Sequence, residues 1–167
     1  MVQQLATKAE FDEQLKKDGL TVVDFTAIWC PPCQAPMAHN VEMLKKRGAE
    51  WGTDVRIIGL SIDGDKAKLK SHVASKGWEQ VEHFFRGKSN ASEVYSVQGV
   101  PHVMLIDKTG KIVFKGHPAN RSNLEEDFDT LRNGGTISGE GCAAAEKVEG
   151  GEEPIPEGYT EMDPKEL

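Results

Sequence analysis

The sequence predicts an α/β domain, a central sheet flanked by helices, followed by an acidic C-terminal tail. Three observations carry this reading. Apolar runs such as Leu20 to Ala27 and Val55 to Asp63 alternate with stretches whose apolar residues recur every three or four positions, the pattern of strands and helices layered on one sheet. Two thiols, Cys30 and Cys33, stand where the first of these strands meets a helix. The charge is unevenly placed: residues 133–167 hold nine acids and two bases, which is the whole net charge of −7, while residues 1–132 balance.

At 167 residues the chain has room for one domain with a real core. Three cysteines do not make a disulfide-dense secreted scaffold; one pair and an odd Cys142 fit a reducing compartment. No apolar run of signal-peptide length opens the chain, so a cytoplasmic location is expected, with an organelle or a larger assembly left open. No stretch approaches the roughly 18 apolar residues of a membrane span. A neutral body with an acidic tail lacks the basic footprint that nucleic acid requires.

Val2 to Leu5 reads as a first strand. Lys8 to Lys17 is a short amphipathic helix with Thr7 as N-cap and Phe11 and Leu15 on one face. Leu20 to Ala27 is apolar on both faces and is expected to be a central strand, with Asp24 in its middle. A carboxylate buried there is costly to ionise, so its pKa should rise; the bland alternative is an acid at a strand edge. A helix follows from about Pro32 to Arg47, with Met37, Val41 and Leu44 inward and Gly48 as its cap. Pro36 falls where missing N–H groups cost little, which supports a helix starting at the thiols. Val55 to Asp63 is the next strand. Lys66 to Lys76 is a helix with Leu69 and Val73 inward, Trp78 to Phe85 a short buried segment, and Asn90 to Val97 one or two helical turns. Val103 to Ile106 and Lys111 to Lys115 form a hairpin about Asp107-Lys108-Thr109-Gly110. Asn120 to Leu131 is the last helix, with Leu124, Phe128 and Leu131 inward. This divides the chain into a domain over 1–132 and a Gly-, Glu- and Pro-rich tail over 133–167, expected to be disordered and removable without loss of stability.

The chemistry is read from Cys30 and Cys33. A thiolate is the reactive species, and a helix N-terminus lowers a thiol's pKa through unpaired N–H groups and the dipole. A second thiol two residues on is close enough to attack a mixed disulfide at the first. Cys30, ahead of the helix, is expected to be exposed and to attack; Cys33, inside it, is expected to resolve.

Trp29-Cys30-Pro31-Pro32-Cys33, preceded by Val23-Asp24-Phe25, resembles the active-site strand and turn of the thioredoxin superfamily, and Pro-Pro between the cysteines is most like its tryparedoxin and nucleoredoxin branch. The longer stretch between the third and fourth strands is a further similarity, shared with TlpA-like proteins. The resemblance implies the thioredoxin fold, a mixed sheet of about five strands. It implies that Asp24 exchanges a proton with Cys33, that Pro101 is a cis-proline facing the dithiol, and that Trp29, Val100, Pro101 and Gly116 form the surface that receives substrate. Three positions depart from it. Gly59 stands where a lysine often accompanies the acid, His102 stands where threonine is usual, and Pro36 comes two residues early.

The expected function is reduction of protein disulfides by a monomer, with electrons from a partner reductase or a low-molecular-weight thiol. No cofactor is expected, since no nucleotide-binding glycine pattern is present. The alternative from a different class is a thioredoxin-like subunit or adaptor of a larger assembly with little redox turnover. A thiol peroxidase would need a Thr and an Arg beside its cysteine, which the first helix turn does not supply. A zinc site from Cys30, Cys33, His39 and Cys142 would lack a compact second ligand pair.

Overall fold

The strand leading to the dithiol, β2 (Leu20–Thr26), is buried along its whole length because it lies in the middle of a sheet covered on both faces. The structure is a computed structural model describing residues 2–4, 7–15, 18–142 and 146–147. Its strands β1 (Val2–Gln4), β2, β3 (Val55–Ser61), β4 (Glu82–Phe85), β5 (His102–Ile106), β6 (Lys111–Gly116) and β7 (Glu146–Lys147) follow the order β1-β4-β3-β2-β5-β6-β7. The pairs β1–β4, β4–β3 and β3–β2 are parallel, and β2–β5, β5–β6 and β6–β7 are antiparallel. The sheet is mixed, as expected, and is wider than five strands because β1 and the two-residue β7 extend its edges.

Side-chain alternation along β2 separates two cores. Leu20 and Val22 join Met37, Val41, Leu69, Phe114 and Phe128 beneath helices α2 (Pro31–Trp51), α3 (Lys66–Lys76) and α5 (Leu124–Arg132). Val23 and Phe25 join Phe11, Ile58, Leu60 and Tyr95 beneath α1 (Lys8–Leu15) and the single turn α4 (Ala91–Val94). Period-2 alternation with helices on both sides is what a fully buried strand requires.

Three boundaries differ from the sequence expectation. Helix α2 does not stop at Gly48 but runs to Trp51, and Gly52, at φ +54°, ends it by donating its N–H to the Gly48 carbonyl. A glycine inside a helix costs about 1 kcal/mol. Burying Trp51, which is 1% exposed and packs edge-on against Phe128, outweighs this, since burying a large apolar side chain contributes roughly 1.5–3 kcal/mol. Helix α5 begins at Leu124, where the Asn123 side chain accepts the Glu126 N–H, and a separate turn occupies Pro118–Asn120.

The third difference is at the near end of the tail, because residues 133–142 are docked. Gly135 N–H donates to the Thr130 carbonyl and Lys115 N–H to the Gly141 carbonyl, while Ile137 and Cys142 pack on the core around Phe114. Arg121 donates to the Ser138 carbonyl at 2.7 Å and is held by a two-pronged pair with Asp127 at 2.6 and 2.7 Å. The expected ends of the first strand at Leu5 and the first helix at Lys17, and the tail from 148 onward, lie outside the described residues. Among the described residues, no helix is long and apolar enough to cross a membrane.

Candidate active site

The dithiol sits at the C-terminal end of β2, where the chain turns through Ala27–Cys30 into α2. Cys30 is the N-cap, in extended geometry, and Pro31 and Pro32 are the first two helical residues. Proline's fixed φ suits a first helical turn. It also removes two of the N–H groups that would otherwise face a thiolate, and the next, that of Cys33, donates to the Cys30 carbonyl at 3.1 Å. Thiolate stabilisation at Cys30 therefore leans on the dipole more than on direct N–H donors.

Cys30 and Cys33 are joined by a disulfide, with Cα atoms 5.4 Å apart. Cys33 is fully buried, as expected. Cys30 is only 4% exposed, against the expectation of an open sulfur. Its Sγ is bonded to Cys33 and lies 3.7 Å from the Val100 carbonyl, and Ala27, Ile62 and Val100 close around the pair. Trp29, immediately before it, is 65% exposed, the one large hydrophobic side chain so exposed among the described residues.

Asp24 lies on the α2 side of the sheet and is completely buried. Its Oδ2 accepts from Asn40 Nδ2 at 2.8 Å, and its Oδ1 has no partner among the described residues. Cys33, Met37 and Asn40 are spaced i, i+4, i+7, so the acid sits under the helix face that carries the second thiol. Burial pushes its pKa up to about 8, with the Asn40 hydrogen bond pulling the other way. In the sheet Asp24 is paired with Gly59 on β3 and Val103 on β5. A side chain at Gly59 would meet Met37 Cε at 2.9 Å and His83 Nδ1 at 3.1 Å, so the position opposite the acid is closed to a lysine without repacking.

The Val100–Pro101 peptide bond is cis, and Pro101 is buried. Gly116 ends β6 opposite Val103; a side chain there would press on Phe114 at 3.3 Å. His102 does not join the dithiol. Its ring packs edge-on against Phe25 at 5.8 Å, in the core opposite Asp24, and burial first, then Lys115 and His117, lowers its pKa. Cys142 is not part of the disulfide, and its sulfur accepts from Arg121 Nη1 at 3.4 Å.

Three positioning groups escaped the sequence reading. Asp63, just past β3, is buried and accepts the Ile28 N–H at 3.0 and 3.2 Å and the Ser61 hydroxyl at 2.5 Å, anchoring the active-site loop to β3. Gln34 donates to the carbonyls of Cys30 at 3.2 Å and Ala27 at 3.4 Å, and its Oε1 lies 2.9 Å from His72 Nε2 on α3. Asn40 had a legible signal, a polar residue on the otherwise apolar Cys33–Met37–Leu44 face. Asp63 and Gln34 had none, because the backbone groups of Ala27, Ile28 and Cys30 and the His72 ring that they meet are brought to them by the fold.

A family model described as thioredoxin-like matches residues 18–112. Human nucleoredoxin is 29% identical over 92 residues, which are 54% of this chain and 21% of that protein. Probable nucleoredoxin 1 of Arabidopsis thaliana is 25% identical over 145 residues, 75% of this chain and 25% of that protein. The chain thus spans about a fifth to a quarter of these nucleoredoxins. Among solved structures, a thiol:disulfide interchange protein DsbE (so described) from Chlorobium tepidum superposes with a TM-score of 0.58 at 24% identity, covering 72% of this chain and 84% of that one. The matched stretch runs from the approach to β2 to the start of β6, carrying the dithiol, Asp24 and the cis-proline together. By that stretch, which holds more than half of its length, the chain belongs to the thioredoxin-like family.

Proposed function

We propose that this protein reduces disulfides in other proteins through Cys30 and Cys33. The observation that supports it is the placing of the pair at the start of α2 with a buried Asp24 beneath the same helix face. The Cys30 thiolate attacks one sulfur of the target disulfide; a Cys30–target bond forms, and the other target sulfur leaves as a thiolate and takes a proton from water. Asp24, in its ionised form, accepts the Cys33 proton. The Cys33 thiolate then attacks Cys30 Sγ, forming the Cys30–Cys33 disulfide and expelling the second target thiolate. Two electrons pass from the dithiol to the target. A partner reductase or a low-molecular-weight thiol, which becomes a disulfide, returns them.

Trp29, Val100, Pro101 and Gly116 form the receiving surface in this reading. Trp29 supplies exposed apolar area, and the Val100 carbonyl faces the attacking sulfur. The cytoplasm and a monomeric state go with it. Reduction of insulin with dithiothreitol as electron source tests the activity: faster precipitation than with dithiothreitol alone supports it, and no acceleration refutes it. The second reading is a thioredoxin-like subunit or adaptor of a larger assembly with little redox turnover. The same assay separates the two.

A further inference from the structure

Beside the dithiol, on the α3 side, lies an open groove of about 510 Å³ lined by Ile28, Ala67, Lys68, Ser71, His72 and Ser75. We propose that this groove docks an acidic stretch of the target protein next to its disulfide, a proposal that rests on the reductase reading and gives it a substrate class. Three observations carry it.

The groove adjoins the dithiol turn. Its lining residue Ile28 immediately precedes the exposed Trp29 and is held by Asp63 through its N–H, so a segment lying in the groove is next to the turn that carries Cys30. The opposite wall is made of small or hydroxyl side chains at helical spacing, Ala67, Ser71 and Ser75, which let a backbone approach α3 closely.

The charge beside it is predominantly positive. Helix α3 contains Lys66, Lys68, Lys70 and Lys76 and no acid, in a body whose residues 1–132 are balanced overall. Lys68, on the groove wall, is 73% exposed; its pair with Asp65 is long, at 3.8 Å, and Asp65 also caps α3 by accepting the Lys68 N–H. Asp63 is turned inward to Ile28 and Ser61. A run of four acids, Glu125, Glu126, Asp127 and Asp129, lies instead on α5. That helix meets α2 at Arg47, fourteen residues from Cys33, or about 21 Å along the helix. The four lysines outweigh Asp65 and attract an acidic target at this end, while the acids of α5 lie beyond the Debye length of about 8 Å.

The groove is also wired to the reacting turn. His72, in its lining, contacts Gln34, and Gln34 donates to the Cys30 carbonyl, so a bound segment touches a residue two hydrogen bonds removed from Cys30.

The test uses the full chain and two synthetic peptides with one disulfide each, identical except that glutamates or lysines flank one cysteine. The expected kcat/KM is about tenfold higher for the acidic peptide at low salt, and the preference should shrink as salt is raised. Lys68→Glu and, separately, Ser71→Trp should each cut the acidic-to-basic ratio about threefold or more. Using a ratio within one variant removes any general loss of activity. Equal rates on the two peptides, or a ratio unmoved by both variants, overturn the docking groove. Failure to reduce either peptide, or a small symmetric disulfide, overturns the reductase reading itself. A synthetic peptide of residues 148–167 that abolishes the preference at stoichiometric concentration would assign the groove to this chain's own acidic tail and overturn the target assignment.

Discussion

Helix α2 joins two ends that treat polar groups in opposite ways. At its N-terminal end a carboxylate is fully buried with one oxygen unpartnered, two prolines remove N–H donors, and no side chain caps the helix. At its C-terminal end, about 30 Å away along its 21 residues, the charged groups pair and Gly52 caps the helix. Arg47 bonds to Glu50, Glu125 and Asp129 at 2.7–3.0 Å and stacks over Trp51, whose Nε1 donates to Asp129. Arg47 holds all three carboxyls below the usual carboxylate range, whereas burial lifts Asp24 far above it. One end is built for stability. The other keeps groups that oppose it, the pattern expected where function sets the residue.

The comparison breaks first under cysteine substitution. Cys30→Ser should abolish disulfide reduction, and Cys33→Ser should accumulate a covalent protein–target species visible on a non-reducing gel, with little change in the denaturant midpoint measured against the reduced parent. A Cys33→Ser variant turning over at the parent rate would contradict the roles. The opposite signature is expected at the far end: Trp51→Ala should cost about 3–5 kcal/mol in a denaturant melt, the usual range for emptying a buried tryptophan site, while activity per folded molecule stays near the parent's.

Between these, Asp63→Ala should lower kcat/KM roughly tenfold by releasing Ile28, since small displacements of a reacting group carry large rate penalties. An unchanged rate would show that the loop holds itself. The smallest effect concerns the docked segment. Removing residues 133–167 should lower Tm by several degrees, because Ile137 and the Arg121–Ser138 bond are lost with it and each kcal/mol is worth about 2–8 °C in domains of this size range. An unmoved Tm would return residues 133–142 to the status of a free tail.

What was legible in the sequence was what the chain carries locally. The strand with Asp24 and the dithiol turn follow from residues read in order along one apolar run, while the cis-proline and the position of Gly59 opposite Asp24 came from the family resemblance. What was hidden depends on distant partners. Gly48 reads as a helix cap until Phe128 arrives to bury Trp51. Residues 133–142 carry one large apolar side chain and dock chiefly through backbone groups and Arg121, which composition does not reveal. Cys30 was expected to be open, and is covered because Val100, seventy residues away, is folded against it.

The central claim is that Asp24 is kept for catalysis at the expense of the fold, and a pH series of melts on the parent and Asp24→Asn tests it most directly. With a folded pKa of about 8 against an ordinary value of about 3.8, the native state holds a proton that the unfolded state releases between those values. The parent's stability should therefore fall as pH rises from about 4 to 8, by up to about 1.4 kcal/mol per pH unit from this group, and level off above. Asp24→Asn should remove that slope, be more stable than the parent at pH 7 by roughly a few kcal/mol, and reduce insulin more slowly because Cys33 has lost its proton acceptor. A variant that keeps the slope, is less stable at pH 7, or turns over as fast as the parent would contradict the account.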